Sequence, residues 1–89
     1  MKIKKGFMKR EISGKYLVVT TGELSRENSM FIELNDTSSY IWDLIEKGVE
    51  RKDIPMRLCK RYSVSLEKAS ADTEKLIKAM EEAGIFEEE

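Results

Sequence analysis

Apolar positions along the chain change period three times, and the changes mark the elements. Met30, Ile32 and Leu34 alternate with Phe31 and Glu33, the period of two expected of a half-buried strand. Directly after it, Ile41, Leu44 and Ile45 recur at helical spacing. Asn35 or Asp36 is placed to cap the first turn, and Gly48 stands where a left-handed stop belongs. Upstream, 6–12 and 16–21 read as extended segments joined by Ser13-Gly14-Lys15, a connection suited to a tight hairpin. The run Leu17-Val18-Val19 has the β-branched, apolar character of a strand flanked on both sides. The polar stretch Gly22 to Ser29 has no apolar period and reads as an exposed loop.

Downstream, Ile54, Leu58 and Tyr62 predict the inward face of a helix over 51–62, with Pro55 in its opening turns. Leu66, Ala69, Thr73, Leu76, Ile77 and Met80 form the stripe of a longer helix over 66–83. Ser65 is its expected cap and Val64 with Ala69 its hydrophobic staple. Gly84 ends that helix, Ile85-Phe86 folds back, and Glu87-Glu88-Glu89 reads as a solvated tail. The order is three strands (6–12, 16–21, 30–34) then three helices (36–47, 51–62, 66–83), an α+β domain spanning 1–89. Two architectures suit that order: a helix cluster capped by a small antiparallel sheet, and a winged-helix variant in which the strands come first.

Composition narrows the chemistry. A chain of 89 residues buries a modest core but does not also enclose a deep substrate cavity, which argues against a monomeric enzyme. Its formal charge of −1 gives no overall attraction to nucleic acid or anionic membrane. With no histidine and only Cys59, the usual metal sites and cysteine nucleophiles lack their partners, so Cys59 reads as a small core filler and no cofactor is expected. Trp42 reads as core. One cysteine allows no internal disulfide, and no long apolar run follows the basic segment Met1 to Arg10; a cytoplasmic protein without signal peptide or membrane span is the expectation.

Three stretches together, Gly6-Phe7-Met8-Lys9-Arg10-Glu11-Ile12, Phe31-Ile32-Glu33-Leu34-Asn35-Asp36-Thr37 and Ile41-Trp42-Asp43-Leu44-Ile45-Glu46-Lys47-Gly48, resemble the family of coenzyme PQQ synthesis protein D. The likeness continues through Tyr62-Ser63-Val64-Ser65, Asp72 and Ala83-Gly84-Ile85-Phe86. What the resemblance implies is a winged-helix-like RiPP recognition element. Such a module holds the leader of a precursor peptide for a separate modifying enzyme, often a radical SAM protein, and performs no chemistry itself. The leader is expected to add as a strand beside the third strand and to place apolar side chains between that strand and the third helix. On this chain those positions are Met30, Phe31, Ile32, Glu33 and Leu34 of the strand and Ala69, Asp72, Thr73 and Leu76 of the helix.

Physical chemistry supports the same mode, because an edge strand offers unpaired backbone groups to any extended peptide. Two other readings use the same elements. A DNA-binding winged helix would draw on Arg51, Lys52, Arg57, Lys60 and Arg61, but Glu67, Asp72, Glu74, Glu81 and Glu82 on the third helix would repel phosphates. A structural homodimer would pair through the open strand itself.

Overall fold

The computed structural model describes residues 1–22 and 31–87. Strands β1 (Phe7–Ile12) and β2 (Lys15–Thr20) form an antiparallel hairpin in which Ile12 lies opposite Lys15. Lys15 therefore belongs to the strand rather than to the turn. The loop is Ser13-Gly14 alone, with φ of 52° and 79°, the doubly left-handed turn whose twist matches that of the strands it joins. Strand β3 (Phe31–Leu34) pairs antiparallel with β2, so the sheet runs β1-β2-β3 with Leu17-Val18-Val19 in its centre. The polar stretch read as a loop, apart from Gly22, lies outside the described residues, as does Met30.

Only Asn35 separates β3 from helix α1 (Asp36–Glu46). Its side-chain oxygen accepts from the Ser38 amide at 2.8 Å, so of the two candidate caps Asn35 is the one used. The second helical segment opens with a 3₁₀ turn at Arg51–Asp53 before α2 (Ile54–Tyr62), with Pro55 in the first turn where its missing N–H costs no helical bond. Helix α3 (Leu66–Glu82) starts at Ser65, whose hydroxyl accepts from the Lys68 amide at 3.1 Å. It ends with the Ile85 amide bonded to Met80 O and the Gly84 amide to Glu81 O, both at 3.0 Å. That reversal needs a left-handed residue, which Gly84 supplies at φ 71°. Ser65→Ala should cost about 1 kcal/mol, the usual value of a side-chain cap. A urea titration against wild type checks this.

One face of the sheet, with Val18 and Leu34 buried and Phe7, Tyr16 and Ile32 packed against them, closes over three helices. Ile41, Trp42, Leu44 and Ile45 of α1, Ile54 and Leu58 of α2, and Ala69, Leu76, Ile77 and Met80 of α3 complete the core with Ile85. Cys59 packs at its margin, half-buried. Leu66 departs from the expected stripe: it is 53% exposed, because the first turn of α3 lies beyond the part of the helix that meets the core. Glu87 is exposed as expected but is not a free tail, since its amide donates to Lys2 O at 2.8 Å while Ile3 bridges Phe86 and the Lys4 amide donates to Ile85 O. Of the expected solvated tail, Glu88 and Glu89 lie outside the described residues.

Polar links tie the layers at their rims. Lys9 Nζ donates to Ser39 Oγ at 2.7 Å and lies 2.6 Å from Asp43 Oδ1, fastening β1 to α1. Arg51 pairs with Glu74 through two contacts, joining the 3₁₀ turn to α3. The Arg51 hydrogen bond is the chief cause that holds the Glu74 carboxyl below its ordinary value. A depressed carboxyl stabilises the fold above the unfolded-state pKa, and the contribution disappears as pH falls through the folded value. Glu74→Gln should therefore lower stability at neutral pH by less than about 1 kcal/mol and slightly flatten its acid decline, because the pair is exposed. Denaturant midpoints measured from neutral to acid pH test this, and the difference should shrink in high salt.

Candidate peptide-binding edge and cleft

The geometry of the hairpin decides which backbone groups of β3 face outward. In a two-residue hairpin the flanking pair, Ile12 and Lys15, exchanges backbone bonds, and alternation then turns Lys15, Leu17 and Val19 toward β1. The Thr21 amide, bonded to Gly6 O at 2.8 Å, continues that series. Tyr16 and Val18 accordingly face β3, where they lie opposite Leu34 and Ile32. The amides and carbonyls of Ile32 and Leu34 are thus spent on β2, and those of Phe31 and Glu33 point away from the sheet. Among the described residues no strand lies beyond β3.

A cleft of about 340 Å³ lies beside this edge, small for a ligand pocket. Ile32, Glu33 and Leu34 form one wall, Asp72, Lys75, Leu76 and Ala79 of α3 the other, and Asn35, Thr37 and Ser38 close one end. Its floor is apolar, since Leu34 and Leu76 are 4% and 6% exposed. Its α3 rim is charged, with Asp72 3.4 Å from Lys68, whereas the Glu33 carboxylate turns to the opposite face of the sheet, 3.5 Å from Lys15.

Of the anticipated site residues, the structure brings Ile32, Glu33, Leu34, Asp72 and Leu76 to this cleft. Phe31 contributes its backbone to the edge. Ala69 and Thr73 do not reach the cleft. Both are completely buried, and the Thr73 hydroxyl donates to Ala69 O at 2.8 Å within the helix. Lys75, Ala79, Asn35, Thr37 and Ser38 line the cleft without having been anticipated. The signal for Lys75 and Ala79 lay in their spacing from Asp72: three and seven residues on, they share its side of the helix. Asn35, Thr37 and Ser38 follow from the immediate turn between strand and helix.

The cations on which a nucleic-acid reading rests are partly committed within the protein. Arg51 pairs with Glu74, Lys52 lies 3.5 Å from Glu50, and the Arg61 guanidinium stacks over Tyr40 and Tyr62 at 4.9 and 5.6 Å. Among the described residues, no group of three or more acidic, cysteine or histidine side chains is placed to hold a metal ion. No described helix is long and apolar enough to cross a membrane.

Residues 24–85 match the family of coenzyme PQQ synthesis protein D, PqqD. The chain belongs to the PqqD family. The matched span contains β3 and all three helices, hence both walls of the cleft, and leaves out the β1–β2 hairpin. Two solved structures share the fold of this PqqD-family chain. One is TbiB1 in complex with the TbiA(beta) leader peptide, 22% identical, with a TM-score of 0.78 over 100% of this chain and 98% of that one. The other is lasso peptide synthetase B1 complexed with the leader peptide, 19% identical, with a TM-score of 0.75 over 93% of this chain and 92% of that one. No curated protein matches the chain.

Proposed function

We propose that this PqqD-family protein is a non-catalytic adaptor. It holds the leader of a ribosomally made precursor peptide by strand addition to β3 and presents the peptide to a separate modifying enzyme. The observation that carries this reading is the outward backbone of Phe31 and Glu33 running beside an apolar cleft. Main-chain bonds to that edge supply affinity without regard to sequence, and side chains entering the cleft supply choice. Ile32, Leu34 and Leu76 are the apolar contacts in this reading, and Asp72 with Glu33 the polar ones. Ala69 and Thr73 act only as core beneath them. The leader complexes of the two similar structures support the same assignment.

Isothermal titration of the purified protein with the leader of the short peptide encoded nearest its gene tests the reading. Saturable one-to-one binding is expected, and a scrambled leader should give none. Absence of heat at about 100 μM peptide, already a weak affinity, would contradict it. Light scattering on the same samples separates peptide capture from self-pairing through the same edge. A dimer indifferent to peptide would favour the structural alternative.

A further inference from the structure

The register of the sheet, taken together with the cleft, specifies a pattern for the guest, and the inference rests on the strand-addition reading above. A strand added to β3 must bond to the backbones of Phe31 and Glu33, because those of Ile32 and Leu34 are already paired with β2. Side chains in neighbouring strands share a face position by position, whichever way the added strand runs. The guest residues lying beside Ile32 and Leu34 therefore turn toward the cleft, where Leu76 and Ala79 wait on the far wall. They are two positions apart in the guest, and the residue between them lies beside Glu33 and turns to the other face of the sheet.

On that other face, Arg10, Leu17 and Glu33 already form a cross-strand row, and the middle guest residue extends it. Its nearest lateral neighbour is the Glu33 carboxylate, 63% exposed, with Lys15 Nζ 3.5 Å away on the far side. A cation directly beside a carboxylate in a sheet is favoured and a second carboxylate is disfavoured. We infer that the recognised segment has the form apolar–basic–apolar, with the two apolar side chains at i and i+2 seated in the cleft and a lysine or arginine between them facing Glu33.

Selection of a random dodecapeptide display library on the immobilised full chain tests this. Enriched peptides should share apolar residues at i and i+2 with Lys or Arg between them. Selection on Glu33→Lys, with Glu33→Gln as a neutral companion, should keep the apolar pair and exchange the middle residue for Asp or Glu in the first case and lose the charge preference in the second. For one enriched peptide measured by fluorescence anisotropy, moving the second apolar residue from i+2 to i+1 should weaken binding about ten-fold or more, because its side chain leaves the cleft for the opposite face. Replacing its middle Lys by Glu should weaken binding to wild type about five-fold and strengthen binding to Glu33→Lys. Enrichment of adjacent apolar pairs or of helical i, i+4 spacing, or a middle residue unchanged by Glu33→Lys, would overturn the pattern while leaving peptide binding intact. Failure to enrich any peptide would overturn the strand-addition reading itself and the pattern with it.

Discussion

Glu33→Pro is expected to weaken leader capture about ten-fold or more while the protein stays folded. The position is unusual among the strand residues in tolerating proline. Its amide points away from β2, so the ring removes no ladder bond of the sheet, and proline is accommodated on edge strands in that orientation. The residue before a proline must be extended, which Ile32 already is as part of β3. The lost side chain gives up only its pair with Lys15, where both partners are largely exposed and contribute less than about 1 kcal/mol. A guest strand loses more. It forfeits a main-chain bond worth about 0.5–1.5 kcal/mol, and the ring also obstructs the close approach on which the adjacent bonds depend. Leu34→Pro makes the contrasting control, since it deletes a bond to Tyr16 inside the sheet and should unfold the protein. Fluorescence anisotropy with labelled leader, alongside circular dichroism melts, reads both quantities. Wild-type affinity in a folded Glu33→Pro variant would show that β3 is not the strand to which the guest adds.

The largest effect on stability is expected at Trp42. Its side chain is fully buried among the three helices and the sheet, and Trp42→Ala should cost about 3–5 kcal/mol. That is a large share of the roughly 5–15 kcal/mol that holds a domain together. Trp42→Phe should behave very differently. The indole Nε1 has no hydrogen-bond partner among the described residues, so phenylalanine removes a donor that makes no bond to them. The smaller ring leaves a void, and the two effects oppose each other, leaving stability within about 1 kcal/mol of wild type. Guanidinium titrations of the three proteins decide this. A Phe variant as damaged as the Ala variant would mean that shape, rather than the orphan N–H, dominates at this position.

Local features were the legible part of the sequence. Asn35 and Ser65 are short polar side chains ahead of helical stripes, Gly84 follows the last periodic residue, and each does in the structure what its chemistry dictates. Errors arose where the decisive partner is distant along the chain. The role of Leu66 depends on where α3 first meets the core, and an ideal stripe does not encode that point. Glu87 is held by Lys2 through the bridge between Ile3 and Phe86, a contact between opposite ends with no local signature. The candidate site shows the same division. Period marked Leu34 and Leu76 as inward-facing, and the resemblance marked the strand and helix that carry them as the site. Ala69 and Thr73 lie in the middle of the α3 stripe, whereas a cleft is reached from its border, at Asp72, Lys75 and Ala79. Periodicity locates a buried face well, but the edge of that face depends on how closely the neighbouring strand approaches.

The single-residue junction at Asn35 has a further consequence for how such a cleft would work. With the cap of α1 bonded to Ser38 and the preceding residue fixed in the ladder, strand and helix have no slack between them and form one stiff bracket. A guest docking against a bracket of this kind surrenders its own chain entropy, about 1–2 kcal/mol for each residue it orders, while the host surrenders little. Guests already biased toward extended conformations would then hold on longest, so stiffness in the peptide would be rewarded as directly as fit.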